Sequence, residues 1–384
     1  MDIQNLNSNF PGGHKQSINH YQYYLVGDIF ASQHLNISMK IYKQVEEASI
    51  ALGRFSALIE KIPNPTNYIS AYAKKEATKS SQIEGTQTNI EDAFIEEKDI
   101  SLERRDDWQE LHCYIKALNL AVEQLDTLPL CNRLIKQTHR ILLSQARGKH
   151  KKPGEFRTSQ NWIGGSRPDN ARFVPPAAEY IDSAMSNLEK FIQDKTIQMP
   201  ALIKAALIHY QFETLHPFLD GNGRIGRMLI SLFLLEQKIL KHPILYISDF
   251  FESNRANYYD ALDRARQDKD GVSHWVSFFI DGVYQTATKG IQSTQKILDL
   301  QAQISTQQIP TLGRQAKNAQ RLLDVLFNQM IVNSNTITKA LDISANSAQK
   351  LIASFVKLGI LKEITGYKRN RVFIFNDYLK LLHD

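Results

Sequence analysis

His216-Pro-Phe-Leu-Asp-Gly-Asn-Gly-Arg-Ile-Gly-Arg227 puts an imidazole, a carboxylate, three glycines and two guanidinium groups into twelve consecutive residues. Just before it, Ala201, Ala205, Ile208 and Phe212 recur at helical spacing, which predicts a helix carrying His216 at its end. Pro217 has no N–H and biases its predecessor away from the α region, so the chain must turn there and leave the imidazole at the rim of a loop. Gly221-Asn222-Gly223 is a turn signal, and the apolar run Met228 to Leu235, broken only by Ser231, predicts a buried helix directly after it. A glycine-rich loop feeding a helix N-terminus points unpaired N–H groups and the positive dipole end at one spot, which suits a phosphate oxyanion. Arg224 and Arg227, three apart, share the face of the first turn. Two planar guanidinium forks beside such a nest fit a di- or triphosphate. Asp220 is placed to hold Mg²⁺, which binds through one or two carboxylates plus substrate phosphates and water. His216 is the natural general base, its ordinary pKa lying close to working pH.

The twelve residues match the pattern HPFx(D/E)GNGRxxR without a departure, and in this the chain resembles the Fic family of AMP-transferases. The resemblance implies a mainly α fold, a Fic-type helical bundle with a β-hairpin flap. It also implies transfer of AMP from ATP to a Tyr, Ser or Thr hydroxyl of a target protein, and to the chain itself, with release of pyrophosphate. His216 would deprotonate the hydroxyl and Asp220 would hold Mg²⁺ on the phosphates. Gly221, Asn222 and Gly223 would cradle the α-phosphate, Arg224 and Arg227 the outer phosphates, and Ile225 and Gly226 complete the nucleotide-binding stretch. Phe218 would anchor the loop in the core. Relatives that transfer other groups tend to alter the middle of the motif, for example by replacing the second glycine with lysine, so Gly223 favours ordinary ATP binding. A competing P-loop is missing: Gly148-Lys149 is followed by His150, and Leu143 stands where the first glycine is needed.

Upstream, Ile69, Tyr72, Ala73, Glu76, Ala77 and Ser80 mark a helix running to Glu84-Gly85, over about 68–85. Gly85 suits a C′ position, and Thr88-x-x-Glu91 reads as a capping box opening another helix. Glu84 then sits near the negative end of a helix, unfavourable by roughly 0.3–1 kcal/mol unless a cation compensates. Ser80-x-x-x-Glu84-Gly85 matches the family's (S/T)xxxE(G/N) inhibitory motif. By resemblance, Glu84 reaches Arg227 and takes the place needed by the γ-phosphate.

Two weaker stretches extend the site. Gly154-Glu-Phe-Arg157, Trp162-Ile-Gly-Gly165 and Ala171-Arg-Phe-Val174 read as two extended pieces around a glycine turn bounded by prolines. They resemble the family's flap, over about 155–175, which clamps the target by strand pairing and lines the nucleotide site at Ile163, Gly164 and Gly165. Asn254-Arg255 with Tyr258 and Tyr259 resembles the adenine-side segment.

The 384 residues, 42% hydrophobic, leave room for two or three domains. The expected division is an N-terminal helical region over 1–110, a catalytic domain over 111–300, a glutamine-rich linker over 301–311 and a tail domain over 312–384. No apolar run approaches a membrane span, and Cys113 and Cys131 form no CxxC, so a cytoplasmic protein is the expectation. The net charge of +6 resides in the tail: Thr311 to Asp384 holds eleven Lys and Arg against five Asp and Glu. Helices begun by Leu322, spanning Thr336–Leu341 and spanning Asn346–Leu358, stopped by Gly359, precede two strands, Leu361–Ile364 and Arg371–Phe375, around the basic Lys368-Arg-Asn-Arg371 turn. This order resembles a winged-helix (α+β) domain, which would contact DNA or another protein. Three activities fit the sequence: an autoinhibited AMP-transferase, an AMP-removing phosphodiesterase in the same fold, and a DNA-binding regulator. A homodimer is expected by analogy alone.

Overall fold

The computed structural model describes residues 10–11, 15–18, 21–62, 65–94, 100–145, 148–268, 270–366 and 371–383. Helices dominate, with short antiparallel pairings, and the chain divides into two compact units.

The first unit comprises Met1–Gly53 and Glu76–Thr286. It opens on a hairpin of β1 (Lys15–Ile18) and β2 (Tyr21–Tyr24), which the sequence reading did not foresee. Helices α1 (Met39–Ile59) and α2 (Pro65–Ile83) follow, each with part of its length in this unit. Next come α3 (Arg105–Gln124), α4 (Asn132–Leu142), α5 (Ile181–Gln193), α6 (Ala201–Leu215), α7 (Asn222–Glu236), α8 (Ser248–Ser253), α9 (Arg255–Gln267) and the start of α10 (Gly271–Gln303).

Helix α6 was expected to present one apolar stripe, yet every residue from Leu202 to Leu215 is buried. Its polar side chains are therefore obliged to find partners inside. Lys204 donates to the carbonyls of Ile192 at 3.1 Å and Asp194 at 2.9 Å, and Gln211 to that of Gly27 at 3.2 Å. Helix α7 packs closely on α6 because Gly226 has no side chain: a Cβ there would collide with the Glu213 carboxylate and lie 3.2 Å from the Phe212 ring. Trp275 locks the pair from α10, its indole N–H donating to the Ala206 carbonyl at 2.8 Å.

Two local expectations need correction. Where a helix was expected after Thr88, Ile90–Phe94 form a 3₁₀ turn, and the Asn89 N–H goes to the Asp92 carboxylate at 2.9 Å. The flap is not a regular hairpin: Ile163 and Phe173 form a single antiparallel bridge. Between them a 3₁₀ turn at Pro168–Asn170 and the Asn170 side chain, which accepts from the Ser166 and Arg167 N–H groups, take up the backbone donors a ladder would use.

The second unit comprises Arg54–Lys75 and Ala287–Asp384. The chain stays helical through the glutamine-rich stretch, α10 giving way to a π turn at Ile304–Gln308 and a 3₁₀ segment at Ile309–Gln315. Glutamine is a good helix former, and buried Ile304 and Ile309 supply anchors. Then follow α11 (Ala316–Asn328), β3 (Ile331–Asn333), α12 (Ser334–Leu341), α13 (Ala345–Lys357), β4 (Lys362–Glu363), β5 (Val372–Ile374) and α14 (Asn376–His383). The strands form an antiparallel sheet in the order β3-β5-β4. Gly359, at φ 76°, ends α13 as its position predicted. Phe327, Phe375 and Tyr378 pack with centroids 5.0–5.7 Å apart beneath the sheet. Lys368, Arg369 and Asn370 of the expected basic turn lie outside the described residues.

Candidate active site

His216 caps α6 in the left-handed conformation (φ 47°, ψ 59°), its N–H still bonded to the Phe212 carbonyl at 2.9 Å. Such a backbone is strained for a residue with a Cβ and persists only where its surroundings impose it. Here the His216 carbonyl accepts from Arg157 Nε at 2.9 Å and from Asn161 Nδ2 at 3.1 Å. The Arg157 N–H donates to the Pro217 carbonyl at 2.8 Å, and Asn161 Nδ2 also donates to that of Phe218 at 2.8 Å. The root of the flap is thus stapled to the His216 loop. Burial pushes the His216 imidazole down to about 4, against an upward pull from Glu84, and its Nδ1 is buried without a hydrogen-bond partner. At neutral pH the ring is uncharged and able to take a proton.

The loop is closed from within by Asn222, whose Oδ1 accepts from the Phe218 N–H and whose Nδ2 donates to the Phe218 carbonyl, both at 2.8 Å. Phe218 is fully buried and stacks on His139, ring centroids 3.7 Å apart and 6° from parallel. His139 accepts from the Gly154 N–H through Nδ1 at 2.8 Å, so its proton sits on Nε2 and donates to the Asp220 carbonyl at 2.9 Å. Gly221, at φ 77°, then turns the chain into α7. The N–H groups of Asn222, Gly223 and Arg224, opening that helix, have no acceptor within it and converge with its dipole.

Both arginines face this end. Arg227, its side chain only 1% exposed, donates from Nε to the Ser80 hydroxyl at 2.8 Å. Its Nη2 donates to the Ser80 carbonyl at 2.8 Å and to Glu84 Oε1 at 2.7 Å. Glu84 is in place because α2 ends just before it: its N–H returns to the Ser81 carbonyl at 3.0 Å, and Gly85 (φ 98°) reverses the chain. The Glu84 carboxylate lies directly against Gly223, where an added Cβ would collide with Oε1 and come within 2.8 Å of Arg227 Nη1. An acidic side chain therefore sits over the first turn of α7, where the helix terminus favours an anion. Burial alone would raise Glu84; the Arg227 guanidinium overcomes it and holds the carboxyl below the usual range. Arg224 donates to Glu110 at 3.4 Å and to Asp220 at 3.5 Å, while its Nε is buried without a partner. Glu213, three residues before His216, is raised to about 7 by burial, with Oε1 unpartnered.

Asp220 exposes 41% of its side chain and is the one carboxylate of the loop. No cluster of three or more His, Cys, Asp or Glu able to hold a metal occurs among the described residues. A single exposed carboxylate fits Mg²⁺, which keeps waters and shares phosphate oxygens, better than an ion needing a protein cage.

Tyr258 and Tyr259 part company. Tyr258 is buried (1% exposed) in an aromatic stack 4.4 Å from Phe251, and its hydroxyl donates to His209 Nε2 at 2.9 Å, because His209 Nδ1 gives its proton to the Gly226 carbonyl. Tyr259 is partly exposed, with Arg172 of the flap 5.7 Å above its ring. Arg172 also pairs with Asp260 at 2.7 Å and Asp263 at 2.5 Å, tying the flap to α9. Sequence reasoning gave no role to His139, Asn161, Glu110 or Glu213, and quoted Arg157 without one.

A match to the Fic/DOC family N-terminal description covers residues 42–123, and one to the Fic/DOC family covers 129–234. The protein adenylyltransferase Fic of Aedes aegypti is 30% identical over 145 residues, 38% of this chain and 26% of that protein. The protein adenylyltransferase fic-1 of Caenorhabditis briggsae is 28% identical over 142 residues, 34% of this chain and 25% of that protein. The chain thus matches about a quarter of the length of these curated relatives. In fold it is similar to a Fic family protein of Desulfovibrio desulfuricans, with a TM-score of 0.57 at 18% identity, covering 89% of this chain and 97% of that one. A Fic domain-containing signaling protein of Bacteroides thetaiotaomicron gives 0.51 at 19% identity, covering 65% and 97%.

Proposed function

The chain belongs to the Fic/DOC family, and from that premise we propose that it is a protein adenylyltransferase restrained by its own Glu84. The reading rests on one arrangement above all: an uncharged, half-buried imidazole beside a helix N-terminus flanked by two arginines. In the proposed reaction His216 takes the proton of a Tyr, Ser or Thr hydroxyl on the target as its oxygen attacks the α-phosphorus of ATP. The bond from that phosphorus to the bridging oxygen breaks, and pyrophosphate leaves. The opening N–H groups of α7 stabilise charge on the α-phosphate. Arg224 and Arg227 hold the outer phosphates. Asp220 would hold Mg²⁺, which when bound offsets charge on the phosphates. Asn222 contributes only its backbone, since its side chain is used by Phe218. Tyr259, not the enclosed Tyr258, faces the base.

Glu84 opposes this reaction in two ways. It engages the Arg227 fork and places negative charge on the nest. ATP bound beside it lacks its γ-phosphate clamp and leaves the α-phosphate misaligned.

The test uses ATP labelled at either the α- or the γ-phosphorus, with the chain as its own acceptor. Adenylyl transfer retains the α-label on protein and releases the γ-label. Retention of γ-label, or of neither label in the Glu84→Gly chain, rejects the reading.

For the tail, we propose a winged-helix module that contacts duplex DNA or another protein, the basic excess of the segment favouring DNA. Duplex binding by the whole chain that weakens steeply with salt supports it, and salt-independent binding or none counts against it.

A further inference from the structure

The two arginines of the loop are each met by a carboxylate from upstream, but the two contacts differ in kind. Glu84 bonds Arg227 closely at 2.7 Å and stands on the anion nest. Glu110, on α3, meets Arg224 Nη1 at 3.4 Å from 114 residues away. We propose that Glu110 is a positioning residue for the outer phosphates of the nucleotide, acting through Arg224; the proposal rests on the adenylyltransferase reading above.

Arg224 has a side chain only 5% exposed, and a guanidinium so enclosed requires a counter-charge. Among the described residues its acidic partners are Glu110 and Asp220. Asp220 is a poor permanent partner. It is 41% exposed and 3.5 Å away, its Oδ1 already accepts the Gly221 N–H at 2.6 Å, and it is the carboxylate that suits Mg²⁺. Once Asp220 turns to a metal and Glu84, whose charge Arg224 also feels, is displaced or removed, Glu110 is the counter-charge that remains. Glu110 is 13% exposed and belongs to a well-anchored helix, with Leu111, Cys113, Tyr114 and Leu118 buried and the Tyr114 hydroxyl bonded to Glu76 at 3.3 Å.

The fork is held but not exhausted. Arg224 Nε is buried with no hydrogen-bond partner, so the guanidinium keeps an N–H directed at nothing in the protein. Its contact with Glu110 is at the long limit of a hydrogen bond, which lets the fork tilt toward an anion while retaining its counter-charge. Two acidic side chains of the upstream region thus act in opposite senses: Glu84 competes with phosphate for Arg227, and Glu110 presents Arg224 to it.

The experiment is made in the full chain carrying Glu84→Gly, with and without Glu110→Gln. The expected result is a KM for ATP raised about tenfold, the scale of one charge-assisted contact, with kcat changed less than about threefold. Calorimetric titration with ATP should show the same weakening, and titration with AMP, which has no outer phosphates, should show none. Equal weakening of AMP would mean a general structural role and overturn the proposal. So would an unchanged KM for ATP, or a gain in transfer when Glu110→Gln is placed in the otherwise unaltered chain, since that would make Glu110 a second restraint. A Glu84→Gly parent that binds neither nucleotide rejects the adenylyltransferase reading and this proposal with it; a parent that binds ATP equally well with and without Glu110→Gln rejects this proposal alone.

Discussion

Arg227 gives one N–H of its Nη2 to Glu84 Oε1 at 2.7 Å and its Nε–H to the Ser80 hydroxyl at 2.8 Å. A single buried guanidinium, from the second turn of α7, is therefore held by the last turn of α2 and the residue that follows it. The same side chain is the one that the motif offers to a phosphate. On the proposed function, binding of the outer phosphates and retention of the Glu84 contact compete for one fork.

Ser80 shares in this hold, so its loss should loosen it without removing the negative charge. Ser80→Ala removes one hydrogen bond from the charged Arg227 guanidinium to a hydroxyl, roughly 1.5 kcal/mol, while the Ser80 carbonyl still accepts from Nη2. AMP transfer is expected to rise by about two- to tenfold, less than in Glu84→Gly. A drop in transfer, measured as adenylylated protein per minute, would place Ser80 in the catalytic geometry instead of the restraint.

His216→Ala is expected to bind ATP as the parent does and to lose a factor of about 10²–10⁴ in transfer rate, the contribution of a positioned base. Calorimetry and rate measurement on the same preparation separate the two. Transfer at the parental rate would remove His216 from the role of base.

The imidazole of His216 is pushed down to about 4, chiefly by burial. A base of depressed pKa is already deprotonated above that value and is inactivated only as the pH falls through it. Glu84 pulls the imidazole upward, so its removal lowers the value further. The rate of Glu84→Gly should show no acid limb near pH 6.5. A loss of rate centred there would contradict the enclosed, uncharged ring.

Phe218 fills the space between His139, Phe156 and Phe212. Phe218→Ala should cost about 3–5 kcal/mol by opening a cavity beneath the loop. Denaturant unfolding measures it; a loss below about 1 kcal/mol would mean the loop does not depend on this anchor.

The segment from His216 to Arg227 was legible in the sequence because its groups are consecutive and the apolar periodicity on both sides fixes two helices. Ser80 and Glu84 were legible for a different reason: a carboxylate at a helix end lacks compensation, and the spacing matched a family motif. Arg157, Asn161 and His139 carried no comparable signal. Their contacts with the loop span 59, 55 and 81 residues, and each looks locally like any polar residue of a turn or an amphipathic helix. The flap was legible as two extended pieces, but its irregularity was not, because the Asn170 side chain, not backbone pairing, satisfies the turn. The three-residue β3 is too short to show periodicity at all.

On the proposed function, Glu84 restrains a competent transferase by holding Arg227. The most direct measurement is the initial rate of α-labelled AMP incorporation by the chain and by Glu84→Gly, at saturating ATP and Mg²⁺. Losing the 2.7 Å contact frees a fork whose charge-assisted hydrogen bond is worth roughly 1.5–3 kcal/mol, so the variant should be faster by at least about tenfold. Equal rates for the two proteins would mean that Glu84 imposes no restraint.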